Sequence, residues 1–269
     1  MREGTRRALA AAVAVAAIAA GGARAPVAAR LPGGFAGGTY CDSCPAPVVN
    51  TWGIEFRDGQ LWTLAQDGTL TRLSATCAPA EVVSVQGFRG FATGLGWDSR
   101  RDAFVVADAL LDSIEVIDPR GEILHAFVSP GSGPVGVTYD PTRDAYWITD
   151  YETHSLYAID AATGATRTEY PLVNRFRVAG AAYDAAHDAI VYHERILAAA
   201  GFTVSCATGA VLDSFPMPFT GINGWQDNAL APDGALWVYN YEYDEIYCLD
   251  RALVPTRRTT WGALKLRYR

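Results

Sequence analysis

The chain repeats itself, and the length of the repeat constrains the fold more than any other feature. GLGWDSRRDAFVVAD followed by SIEVIDPRGEIL starts at Gly94, GVTYDPTRDAYWITD followed by SLYAIDAATGATRTEY at Gly136, and GAAYDAAHDAIVYHE followed by FTVSCATGAVLDSF at Gly180. Two looser copies flank these, GIEFRDGQLWTLAQ from Gly53 and NALAPDGALWVYN from Asn228. Successive starts lie 41, 42, 44 and 48 residues apart. Each unit divides into four short stretches of alternating character separated by turn residues. In the third unit these are 135–139, 146–149, 156–159 and 166–170, with Asp140-Pro141-Thr142-Arg143-Asp144 and Asp160-Ala161-Ala162-Thr163-Gly164 between them. Outside the N-terminus no apolar stripe of 3.6-residue period runs for three turns. A four-stranded unit recurring every 40–50 residues is a β-propeller blade, and closing such a ring hides the strand edges. The expectation is an all-β propeller of five blades over residues 51–258, or six if residues 30–50 and the tail build another.

The ends read differently. Arg2, Arg6 and Arg7 precede an unbroken apolar run from Ala8 to Ala20, and Val27-Ala28-Ala29 offers small residues for cleavage. Residues 1–29 therefore read as a signal peptide, too short in its apolar part to span a membrane. Residues 30–50 form a cysteine-containing segment, and 259–269 a basic tail or closing strand, Leu264 to Tyr268 having the alternation for one. The mature chain is then exported: periplasmic, on the cell surface or extracellular. Its net charge moves from −7 to −10, since residues 1–29 hold four Arg and one Glu, and Lys265 is the only lysine. So acidic a chain without a basic run excludes nucleic acid as a partner, and the lack of a second long apolar run excludes a transmembrane segment. Five cysteines in an exported chain point to disulfides, expected within Cys41, Cys44 and Cys77.

Function should sit on the face that gathers the loops after each second strand and between blades. Asp108, Asp150, Glu194 and Asn240 share one repeat position there. They read as oxygen ligands for Ca²⁺ or another divalent cation, or as caps that tighten their own turns. Asp150, Glu152, His154, His193 and Glu194 form the candidate metal set. The insertion Thr220-Gly221-Ile222-Asn223-Gly224 belongs to unit five alone, so Asn223, Trp225 and Asp227 are candidate ligand-binding residues, with Trp225 as a stacking platform or a channel plug. Arg175 and Arg177 are candidates for a carboxylate ligand. Trp62, Trp147 and Trp237 recur in register and read as packing.

The motifs Gly-x-x-Tyr-Asp, Trp-Ile-Thr-Asp and Leu-Tyr-x-Ile-Asp-x-x-Thr-Gly resemble NHL and YVTN-type propeller repeats, a class that includes streptogramin-lyase-like and gluconolactonase-like proteins. A gluconolactonase-like chain would hold its cation with a first-blade Glu directly before Gly-Pro, and with Asn and Asp from later inner strands. Here Trp52 precedes Gly53, and Glu55 lies two residues beyond it. Phe91-Ala92-Thr93-Gly94-Leu95 is similar in part to the Phe-Thr-Gln-Gly-Leu of plant-type glutaminyl cyclases, themselves five-bladed. Two functions follow as expectations. One is a non-catalytic binding or scaffold propeller, acting as a monomer on a protein, glycan or small molecule. The other is a metal-dependent hydrolase or lactonase.

Overall fold

A computed structural model describes residues 42–47, 50–172, 178–195, 200–217 and 224–249. Residues 1–29, expected to be a signal peptide, the tail, Cys41, Asn223, Arg175 and Arg177 lie outside the described residues. The remainder is all-β, in five four-stranded antiparallel sheets. Strand β1 (Asp42–Pro45) comes first in the chain. Blade one holds β2 (Thr51–Arg57), β3 (Gln60–Ala65), β4 (Thr69–Leu73) and β5 (Pro79–Ser84). Blade two holds β6 (Ala92–Asp98), β7 (Ala103–Asp108), β8 (Ser113–Ile117) and β9 (Ile123–Val128). Blade three holds β10 (Pro134–Asp140), β11 (Ala145–Asp150), β12 (Ser155–Asp160) and β13 (Thr166–Pro171). Blade four holds β14 (Val178–Asp184), β15 (Ala189–Glu194), β16 (Ala200–Ser205) and β17 (Val211–Pro216). Blade five holds β18 (Trp225–Leu230), β19 (Leu236–Asn240) and β20 (Glu245–Leu249).

The outermost place in blade five is filled by β1, which pairs antiparallel with β20 from Asp42 opposite Cys248 to Pro45 opposite Glu245. The N-terminal segment thus takes the outer place in blade five for which the C-terminal tail was the expected strand, and it does so without building a sixth blade among the described residues. A disulfide joins Cys44 on β1 to Cys77 on the β4–β5 connection of blade one. It clips the last blade to the first across the seam that closure must hold.

Burial falls from axis to rim. The first strand β10 is buried at every residue, whereas β5 and β9 are largely exposed. Small residues let five inner strands crowd the axis. A Cβ on Gly94 would lie 2.7 Å from the Val135 carbonyl, and one on Gly136 would run into the Gly180 backbone. Each inner strand also carries a β-bulge near its start, between Thr51 and Gly53, Ala92 and Gly94, Pro134 and Gly136, Ala179 and Ala182, and Trp225 and Asp227. A bulge leaves a residue out of the ladder and re-aims it. Trp52, Thr93, Val135 and Gln226 are the residues so released.

A repeated ion-pair ladder ties blades together on the face of the β-turns between first and second strands. Arg101 reaches Asp98 of its own blade at 2.8 Å and Asp144 of the next at 2.7 Å, and Arg143 repeats this with Asp140 at 2.8 Å and Asp188 at 2.6 Å. Asp102, Asp144 and Asp188 sit at φ of 50°, 48° and 49°, the left-handed turn position that Asp tolerates. The Arg101 guanidinium draws the Asp144 carboxyl down to about 2.

Candidate functional site

The strand register sorts the axis into levels. Gly53, Gly94 and Gly136 stand at one level in the register, Gly180, left out of the ladder by the blade-four bulge, packs against Gly136, and the residue from blade five at that level is Asp227. The match from sequence alone put Asn228 there, one residue late. Where four blades carry glycine, the fifth carries a carboxylate, and its side chain crosses the axis. Asp227 Oδ2 accepts the backbone N–H of Ile54 in blade one at 3.0 Å and of Leu95 in blade two at 3.1 Å. Oδ1 is buried without a partner. Burial holds this carboxyl well above the usual carboxylate range, opposed by the N–H donors of Ile54, Leu95 and Asn228.

One step further along the axis the pattern recurs with a different blade. Gly96, Thr138, Ala182 and Ala229 are small, and blade one contributes Glu55. Its Oε1 accepts the Phe56 N–H at 2.7 Å. Burial pushes this carboxyl up to about 8, opposed by the Phe56 and Trp97 N–H groups. The two acids repel, each favouring the neutral form of its neighbour.

On the loop face, blades four, five, one and two bring a set of polar and aromatic groups to the mouth above Asp227. His193 on β15 is buried, and neither ring nitrogen is in hydrogen-bonding geometry. Burial pulls its imidazole down to about 4; the nearby Asp227 and Glu194 peptides oppose this, and the Arg195 charge adds to it. Gln226, released by the blade-five bulge, is buried with both side-chain atoms unpartnered. Trp52, released by the blade-one bulge, stacks on Tyr241 with centroids 6.0 Å apart and meets Phe91 edge-on at 4.8 Å. The Arg195 guanidinium lies 5.2 Å from the centroids of both Trp52 and Tyr241.

The other expected residues fall as follows. Asp150 Oδ1 accepts the N–H groups of Glu152 and Thr153 at 3.0 and 2.8 Å, and Oδ2 that of Gly133 at 2.8 Å. Asp108 and Asn240 cap their turns in the same way. His154 occupies the left-handed position of its turn at φ 55°, as Asp112 and Asp244 do in theirs. It is a turn residue. Of Asp150, Glu152, His154, His193 and Glu194, no three bring ligand atoms together. Among the described residues the group of three that does so is Asp140, Asp188 and Cys206, within 4.8 Å. Arg143 already supplies the positive charge there, and burial pushes the Cys206 thiol up to about 12. Trp225 is wholly buried in interblade packing, edge-on to Tyr247 at 5.7 Å, so its ring is neither at the mouth nor in the channel. Gln226 lies in the stretch that the unit-five insertion singles out, whereas the sequence assigned no site role to Trp52, Phe91, Arg195 or Tyr241. The available signal was the residue preceding each axial Gly or Asp, which differs from blade to blade.

The fold is a five-bladed propeller whose loop face gathers these polar and aromatic residues. No family model matches the chain, and no curated protein matches its sequence. Among solved structures it is similar to a glutaminyl cyclase from Myxococcus xanthus, with a TM-score of 0.65 and 14% identity, over 80% of this chain and 97% of that one. It is also similar to virginiamycin B lyase from Staphylococcus aureus, with a TM-score of 0.51 and 17% identity over 73% and 66% of the two chains. The WD40 propeller domain of Doa1 gives 0.53 and 11% over 77% and 65%. These likenesses show the propeller fold. At the place of the Gln in Phe-Thr-Gln-Gly-Leu, Thr93 donates its hydroxyl to Ala107 O at 3.0 Å and Pro134 O at 2.7 Å, so its side chain serves the ring. Among the described residues no helix is long and apolar enough to cross a membrane.

Proposed function

We propose that this is an exported binding propeller that takes a small polar molecule, or the polar end of a glycan or peptide, at the loop-face mouth of its channel. One observation carries the reading: His193 on β15 and Gln226 and Asp227 Oδ1 on β18 are buried polar groups with no hydrogen-bond partner, the His193 ring lying close to the Asp227 peptide. Burying such an atom unsatisfied costs about 1–3 kcal/mol, so several in one place call for a molecule that completes them. The set holds both donors and acceptors, while Trp52, Tyr241 and Arg195 supply a flat rim. A ligand with amide or hydroxyl groups and a planar or anionic portion fits that chemistry. Its disulfide agrees with an oxidising compartment.

An imidazole held near 4 is a weak base at neutral pH, so His193 serves this reading as a hydrogen-bonding group rather than a general base. The gluconolactonase-type alternative needs converging oxygen ligands. Asp108, Asp150 and Asn240 of the shared repeat position accept N–H groups of their own turns. The structural likeness to a cyclase and a lyase keeps catalysis on this fold open to direct assay.

A thermal-shift screen of sugars, small carboxylates, amides and short peptides tests the proposal on the wild type, Trp52→Ala and Gln226→Leu. A ligand that stabilises the wild type and loses at least tenfold in affinity in both variants supports it. Binding that ignores both substitutions, or lactone turnover that requires Ca²⁺ and His193, overturns it.

A further inference from the structure

The opposite mouth of the channel has its own chemistry. A cavity of about 200 Å³ opens on the β-turn face, lined by Glu55, Phe56, Trp97 and Tyr139, with Thr138 and Tyr183 among the rest. Glu55 is its only acidic lining residue, and no Arg or Lys lines it. Among the described residues no cation lies within ion-pairing distance of Glu55; Arg57, two residues on, is taken by Asp58 and Asp102 and packs 4.4 Å above the Trp97 ring. The tyrosine hydroxyls are already used. Tyr139 donates to Asp144 at 2.9 Å, and Tyr183 donates to Asp188 at 3.3 Å. Both rings are held in place by the ion-pair ladder, and what they offer the cavity is ring surface. Behind Glu55 stands Asp227, a second acid without a counter-cation. The mouth therefore combines a carboxyl group, π-rich walls and a channel whose charge-bearing groups are all of one sign.

We propose that this cavity is a second site, independent of the loop face, for a small organic ammonium ion, with Glu55 as counter-charge and Trp97, Tyr139 and Tyr183 as aromatic walls. Carboxylate and ring faces together recognise a diffuse cation that sheds water readily, the case in which cation–π attraction is largest. The volume suits a trimethylammonium or primary amine head rather than a whole peptide. When the site fills, Glu55 gives up its proton to solvent and pairs with the cation.

The probes are choline and its uncharged isostere 3,3-dimethylbutanol, titrated calorimetrically into the mature protein. Choline is expected to bind and the isostere to fail. Glu55 faces Asp227 from β18, Tyr139 from β10 and Tyr183 from β14; burial raises all four groups, Glu55 to about 8 and Tyr139 to about 12. Choline affinity should therefore rise about tenfold per pH unit below 8 and level off above it. Glu55→Gln should abolish binding, and Thr138→Leu, which fills the cavity and keeps the acid, should weaken it at least tenfold. Trp52→Ala, on the other face, should change nothing. Equal binding of the isostere, binding unchanged in Glu55→Gln or in Thr138→Leu, or displacement of choline by equimolar Na⁺ or Ca²⁺ would overturn the proposal.

Discussion

Blades two to four and the seam where blades four, five and one meet solve the same problem by different means. In the first region the repeat does the work. Asp98, Arg101, Asp144, Arg143 and Asp188 form one ladder, each charge met by the next blade's. At the equivalent place blade four has His187, which pairs with Asp184 of its own blade at 2.7 Å. Closure at the seam falls to β1 and the Cys44–Cys77 bridge, and the residues facing the mouth are singular: Trp52, His193, Gln226, Asp227. What every blade repeats builds the ring, and what one blade changes is available for binding.

The sharpest way to break that comparison is at the axis, where repetition is sterically enforced. Gly136→Ala drives a methyl into the Gly180 backbone, and a loss on the order of 3 kcal/mol or more is expected in urea unfolding. A loss under 1 kcal/mol would mean the inner strands are looser than described. Reducing the disulfide, or Cys77→Ser, should cost about 2–4 kcal/mol, since it frees a closure spanning 33 residues. Urea unfolding with and without reductant measures this. Removing one rung of the ladder with Arg143→Ala should cost only about 1 kcal/mol, because the guanidinium is part-exposed and screened. If the rung cost more than the disulfide, the seam would not be the weak point of the ring.

Titration separates the two channel acids from the histidine. Glu55 has a raised folded value near 8, so the folded state binds the extra proton and stability falls as pH rises from about 4.5 through 8. Glu55→Gln should flatten that slope. His193 is depressed to about 4, so its contribution has the opposite sign: stability is lost as pH falls from about 6.5 through 4. Urea midpoints between pH 4 and 9 for wild type, Glu55→Gln and His193→Gln would show the two slopes. They should disappear one at a time.

The ring was legible in the sequence because it is repeated: four strands per unit, Asp turns in register and three tryptophans at one packing position. The disulfide was legible through compartment and cysteine proximity. The site was legible only in part. Asp227 and His193 stood out as departures, but Trp52 and Gln226 reach the mouth through β-bulges, which shift register by a residue and leave no compositional mark. Trp225 was drawn to attention by its loop, whereas the chain turns it into the packing against Tyr247. Glu55 acquires meaning once the register shows it alone among Gly96, Thr138, Ala182 and Ala229.

The most direct measurement is a crystal structure of the protein as purified, at a resolution that shows ordered water. The account predicts an ordered molecule or water cluster within hydrogen-bonding distance of His193, Gln226 and Asp227 Oδ1. Finding those atoms paired with one another or with the blade backbone, and no density between them, would contradict it.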